Sequence, residues 1–325
     1  MTNEKIYPVC IIGGGSAGTM SVLRCVLNND ETLFFPGTPL NKKRSRDFWV
    51  TKVENMPGHL EYKKGIMNPN KESIDWLESG EFKEKLHHKK RQGVKSIKKD
   101  GDLFKVTSSN DENYLCEYVI LCTGVMDVQP IIGGSIDPIF PYANTQIADY
   151  CLRCDGHHVL NKNLSIIGSG DGAAWVGVML YERYKCPKVD ILLHGEKASF
   201  SPEVSELIKK YNFNIHPSKI ISIQGSPKAK ILESYTLEDQ TVVKTDFTFI
   251  SLGMIVYNEL AVGLDAEIDK RGFVVTDEKG ESSVPNLFVA GDLRANSMKQ
   301  IYTAWNHAVI SSDTINGRIR QRNRK

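Results

Sequence analysis

A chain of 325 residues is too long for one small module and has room for two or three domains. Its 41% hydrophobic and 25% charged residues exclude a disordered or low-complexity chain, and 41 basic against 39 acidic residues, a net charge of +2, exclude a dedicated nucleic-acid binder. The N-terminus carries an early acid and runs into a short apolar stretch broken by glycines, unlike a signal peptide. No apolar run approaches the roughly 18 residues of a membrane span, so a cytoplasmic protein without membrane association is expected.

In chain order, Val9–Ile12 is an apolar run ending in Gly13-Gly14-Gly15-Ser16-Ala17-Gly18, after which Met20, Leu23 and Leu27 recur at helical spacing. This is the grammar of strand, tight glycine turn and helix. Thr32–Phe35 and Tyr118–Leu121 read as further strands, and Thr107–Asn113 as a hairpin loop in a smaller antiparallel element. The same grammar returns at Leu164–Ile167, Gly168-Ser169-Gly170-Asp171-Gly172-Ala173, and the helical Val176, Met179 and Leu180, with Val189–Leu193 and Phe247–Ile250 as its companion strands. Strands alternating with helices predict parallel sheets, hence an α/β fold of two doubly wound Rossmann-like domains. Near the end, Val284–Val289 reads as a strand leading to Gly291-Asp292, with a helix over Gln300–Ile315.

In a glycine turn of this kind, the first glycine permits the bend, the second admits a pyrophosphate to backbone N–H groups, and the third lets helix and strand pack closely. The helix N-terminus adds unpaired N–H groups and partial positive charge. Flanking strand and helix single out Gly13, Gly15 and Gly18 as a nucleotide site. Asp292 ends a parallel strand, where ligands bind, and could accept hydroxyl hydrogen bonds; as an ordinary N-cap it would have no such role. Of the seven cysteines, the odd number in a long chain is no disulfide framework. Cys10, Cys25, Cys116, Cys122 and Cys186 read as buried small hydrophobes. Cys151 and Cys154 stand apart as a CxxC pair, a redox or metal candidate. Two such thiols can close a small disulfide, which takes two electrons on reduction. No partner set at metal spacing follows, and His157 and His158 are too close in sequence to complete a tetrahedron, so no metal is expected. The basic groups Lys42–Arg46, Lys83–Lys99 and Arg318–Lys325 read as a solvated face and a frayed tail, or else as docking surfaces for an acidic protein.

The segments Gly13–Gly18, Val53–Gly58 (VENMPG), Cys122–Gly124 (CTG), Cys151–Gly156 (CLRCDG), Gly168–Ala173, Ala290–Asp292 (AGD) and Lys299–Ile301 (KQI) resemble, in order and over nearly the whole chain, the low-molecular-weight thioredoxin reductases, two-domain FAD disulfide reductases. The resemblance implies FAD, with its pyrophosphate on Gly13, Gly15, Ser16, Ala17 and Gly18. It implies Gly291 and Asp292 at the ribityl or phosphate region. Asn55, Thr123, Gly124, Lys299, Gln300 and Ile301 would stand near the flavin. It further implies Cys154 as the thiol nearest the flavin, Cys151 as the one that exchanges with substrate, and Asp155 as the proton carrier. A homodimer and a rotation between domains are implied as well.

The pattern departs from the family at the second domain, which normally binds NADPH through arginines after its second strand. Here that stretch is His194-Gly195-Glu196-Lys197-Ala198-Ser199-Phe200, and Trp175 sits in the helix that would cradle pyrophosphate. Glu196 could accept the hydroxyls of an unphosphorylated ribose, making NADH the donor, or be an ordinary surface residue. The combined departures favour a protein similar to the deeply rooted or ferredoxin-linked thioredoxin reductases, with NADPH not expected as donor. No acid follows Thr32–Phe35, which leaves the adenosine ribose to Thr38, Asn41 or backbone groups. Trp305 and His307 read as core or interface residues. Residues 1–124 and 251–325 are expected to form the FAD domain and 125–250 an inserted domain carrying the CxxC. The expected activity is flavin-to-disulfide electron transfer to a thioredoxin-like protein. A dithiol oxidase using oxygen and a non-catalytic redox sensor are the rival readings.

Overall fold

The computed structural model describes residues 5–37 and 44–324; Thr38, Asn41, Lys42, Lys43 and Lys325 lie outside them. The chain forms two compact units, residues 1–45, 67–126 and 256–325 in one and 46–66 and 127–255 in the other.

The first unit is built on a seven-stranded sheet. Its parallel core runs Leu86–His88, Thr32–Phe35, Ile6–Ile12, Asn113–Leu121, with Leu287–Val289 pairing alongside Val119–Leu121. The lower half of Asn113–Leu121 turns back antiparallel onto Leu103–Ser108, which pairs with Val94–Asp100. The turn between Thr107 and Asn113 is the expected hairpin loop. Alternation along each strand sends side chains to opposite faces. Val9, Ile11, Phe34, Ile120 and Phe288 pack beneath the helices Ser16–Leu27, Met67–Ser79 and Ile301–Asn323. Cys10, Ile12, Leu33, Phe35, Val119 and Leu121 face the hairpin residues Ile97, Phe104 and Val106. A strand buried on both faces has no use for polar side chains, which is why Tyr118–Leu121 reads as an unbroken apolar run.

The second unit carries a five-stranded parallel sheet in the order Asn214–His216, Val189–Leu192, Leu164–Ile167, Phe247–Ile250, Ala148–Asp149. A three-stranded antiparallel sheet, Ile220–Ser226, Ile231–Leu237 and Val242–Lys244, accompanies it. Both units thus have the doubly wound α/β architecture the sequence predicts.

Three features differ from expectation. Segment 46–66 groups with the second unit rather than with the first. Arg46 forks onto Asp127, Trp49 stacks on Phe140, and Thr51 donates to the Asn144 carbonyl, contacts that tie the segment to that unit. The final helix runs past Ile315 to Asn323, and its basic end is no frayed tail. Arg318 pairs with Glu281, Arg320 with Asp30 and Arg322 with Glu117, which ties the end of the helix to the first unit. In the Lys83–Lys99 run, Lys90 and Lys95 are likewise paired, with Glu78 and Asp111. Among the described residues, no helix is long and apolar enough to cross a membrane.

Candidate active site

The first glycine turn is shaped by contacts that exclude side chains. Gly13 has φ +117°, and a Cβ there would lie 2.3 Å from the Cys122 carbonyl oxygen; a Cβ on Gly18 would lie 1.7 Å from the Gly13 oxygen. Helix Ser16–Leu27 can therefore start against the strand ends only with these glycines. Gly15 is its N-cap, without a side-chain cap bond, and no acidic residue stands in the first turn. A Cβ on Gly15 would meet nothing within 4 Å, so open space faces the unpaired N–H groups. That cradle suits a pyrophosphate.

The carboxyl ends of the neighbouring strands gather more of the predicted residues at this place. A Cβ on Gly291 would come within 2.8 Å of the Ala17 side chain, which puts the Gly291-Asp292 turn beside Ser16 and Ala17. Thr123 donates to the Tyr257 carbonyl at 2.6 Å, and Tyr257 N–H donates to Gly124, fastening both residues at the exit of their strand. Gln300 is the buried N-cap of the final helix, and Ile301 is its first residue. Lys299 lies over the Phe273 ring and donates to the Arg294 carbonyl, and burial draws its pKa down to about 8. His307 is buried and hydrogen-bonded to the backbone of Gly291; burial lowers its pKa to about 4, so a neutral ring braces the turn that carries Asp292. Asn55 is the exception, since it falls in the segment that packs with the second unit.

The second glycine turn has the same outline with different chemistry. Helix Asp171–Tyr184 carries an acid in its first turn, and Asp171 Oδ1 accepts from Ser201 N–H at 2.7 Å. Ser199 N–H donates to the Ser169 carbonyl, laying the 199–201 loop along the turn. His194, first residue of the stretch where the family carries arginines, is in the left-handed region at φ 56° and its Nδ1 accepts from Ile220 N–H at 3.1 Å. Burial lowers its pKa, which keeps that nitrogen an acceptor.

Cys151 and Cys154 form a disulfide. Cys151 is the buried N-cap of a short helical turn, Leu152–Asp155, and its sulfur accepts the Cys154 N–H at 3.1 Å. An N–H aimed at this sulfur favours its thiolate once the bond is reduced. Asp155 is only 2% exposed. Burial, and then the neighbouring Asp149 carboxylate, push its pKa up to about 8, so it holds a proton at neutral pH. The other five cysteines are buried and free, and burial pushes Cys25 and Cys122 up to about 12, which makes them inert as nucleophiles.

Sequence reasoning missed the side chains around Asp155. His158 bonds Asp149 through Nδ1 (2.9 Å) and Glu54 through Nε2 (2.8 Å), and His157 Nε2 reaches the same Glu54 oxygen at 2.7 Å. The tandem histidines were the only signal; Glu54 lies far away in the chain.

The pyridine nucleotide-disulphide oxidoreductase family profile matches residues 7–308. Thioredoxin reductases of Listeria monocytogenes and Bacillus subtilis are 28% and 27% identical to the chain, covering 93% and 97% of it and 91% and 95% of those proteins. Solved thioredoxin reductases from Streptococcus pyogenes and Giardia duodenalis share the fold with TM-scores of 0.79 and 0.80 at 22% and 21% identity, each covering 97% of this chain and 99% of that one. The chain therefore belongs to the pyridine nucleotide-disulphide oxidoreductase family, as a flavin-type disulfide oxidoreductase similar to thioredoxin reductases along nearly its whole length.

Proposed function

We propose that the protein passes electrons from bound FAD through Cys151–Cys154 to the disulfide of a thioredoxin-like protein, and takes them from a donor other than NADPH. The observation that carries this reading is the closed Cys151–Cys154 disulfide beside the buried Asp155, on a chain whose first glycine turn is open. Gly13, Gly15, Ser16, Ala17 and Gly18 would hold the FAD pyrophosphate, and Asp292 its ribityl or phosphate region. Thr123, Gly124, Lys299, Gln300 and Ile301, with Asn55 from the segment of the second unit, would stand near the ring. When bound, the flavin supplies two electrons, the number a disulfide takes.

The residues of the chain do the rest. Cys151, favoured as thiolate by the Cys154 N–H, attacks the partner disulfide; Cys154 then resolves the mixed disulfide, and Asp155 supplies a proton to a departing thiolate. The donor reading is supported by the second turn, where Asp171 puts negative charge at the helix N-terminus and His194 is turned inward onto Ile220. Reduced ferredoxin is the donor this favours.

Anaerobic titration of the yellow holoprotein tests it. Flavin bleaching by reduced ferredoxin and not by NADPH is expected. Rapid bleaching by NADPH would overturn the donor reading, and bleaching by NADH alone would assign Glu196 to a ribose.

A further inference from the structure

Behind Asp155 the second unit gathers a cluster of titratable side chains, Asp149, His158, Glu54 and His157. Asp149 is fully buried, with Oδ2 on His158 Nδ1 and Oδ1 without a hydrogen-bond partner. Asp155 Oδ2 is likewise buried without a partner. A carboxylate oxygen of each and a ring nitrogen of His158 lie within 4.8 Å of one another, close enough for a proton to pass directly or through one water. His158 has a carboxylate on each ring nitrogen, and Glu54 Oε2 joins it to His157, whose side chain is 48% exposed. A ring flanked in this way can receive a proton on one nitrogen while releasing one from the other.

We propose that His157, Glu54, His158 and Asp149 form a proton path from solvent to Asp155, and so set the rate at which the cysteine pair can expel a basic thiolate. This rests on the exchange reading above. The proton count requires such a path. When the Cys151 thiolate attacks a substrate disulfide, one S–S bond forms as another breaks, and the departing thiolate takes the proton of Asp155. Cys154 then attacks Cys151, closing the protein disulfide and releasing the second thiolate. Two electrons leave the protein, and two protons end on the product thiols. Cys154 furnishes one of these protons, and the other comes from solvent because Cys151 reacts already ionised.

Burial opposes charge on His158, but its bonds to Asp149 and Glu54 outweigh this and raise its pKa. Burial also opposes charge on Glu54, yet the two histidines hold its pKa below the ordinary value. The other charged groups facing the cluster are Arg46, committed to Asp127, and Lys162. Arg46 lowers the pKa of Asp149 and Asp155 without removing the effect of burial.

The test compares disulfides with different leaving groups. Holoprotein whose flavin is continuously photoreduced, so that Asp155 must regain its proton in every cycle, turns over anaerobically at neutral pH on dithiobis(nitrobenzoate), whose thiolate leaves without a proton, or on bis(hydroxyethyl) disulfide, whose thiolate needs one. The ratio of the second rate to the first is expected to fall at least about tenfold in His158→Gln and Glu54→Gln, and a few-fold in His157→Asn, whose half-exposed ring leaves folding intact. A merely structural role would slow both reactions in proportion, and an unchanged ratio in all three variants overturns the path. Wild-type protein that attacks neither disulfide would defeat the exchange reading, and the path with it.

Discussion

The two glycine turns share a backbone grammar and differ in what their helix N-termini face. At the first, Gly15 opens onto space, and no side chain caps the helix. At the second, Asp171 stands in the first turn and holds Ser201, and the 199–201 loop lies along the turn. The turn motif therefore specifies how a helix leaves a strand, while the residues in front of it decide whether an anion is welcome. In the second unit Asp155 stands beside the disulfide, with Asp149 and His158 next to it.

The comparison breaks most visibly at the third position of each turn. Gly18→Val drives side-chain atoms into the Gly13 oxygen, and the helix must leave its strand; loss of bound flavin and more than about 3 kcal/mol of stability are expected from absorbance and denaturant titration. Ala173→Gly, at the matching position of the second turn, meets no such obstacle. It should cost only about 1 kcal/mol and leave the yellow protein intact. Equal loss from both would erase the distinction.

The next largest effect is the pH dependence contributed by Asp155. Its folded pKa of about 8 exceeds the ordinary 3.8, so between these values the folded state binds a proton the unfolded state has lost. By linkage, this group's contribution to stability falls as pH rises through that window, by on the order of 1 kcal/mol per unit. Asp155→Asn should flatten the decline and leave the variant relatively more stable at pH 8 than at pH 5, measured by thermal melts. A parallel decline in the variant contradicts the burial argument.

The smallest effects come from exchanging the charges of the two turns. Ser16→Asp places a carboxylate where the first turn faces phosphate, and FAD affinity should fall about tenfold. Asp171→Asn should cost under about 1 kcal/mol and not create NADPH reduction, because His194 still points inward. Efficient NADPH reduction in this variant would make Asp171 the only barrier.

Much of this was legible in the sequence because it is local. Glycine spacing, apolar strands and the CxxC pair each act within about ten residues, and the structure forms both doubly wound units from them. What escaped the sequence depends on residues brought together by the fold. Glu54 lies some hundred positions from His157 and His158, and only the packing of segment 46–66 on the second unit unites them. The arginines of the last helix look like a loose basic tail until Asp30, Glu117 and Glu281 arrive from other strands and loops. The inward turn of His194 needs a partner, Ile220 N–H, that no local pattern announces.

The central claim is that flavin and Cys151–Cys154 form one redox unit, and an anaerobic dithionite titration of the holoprotein tests it most directly. The wild type should take up twice as many electrons per chain as the Cys151→Ser/Cys154→Ser variant, with flavin bound equally in both. Equal uptake would mean that the cysteine pair exchanges no electrons with the flavin, and would contradict the account.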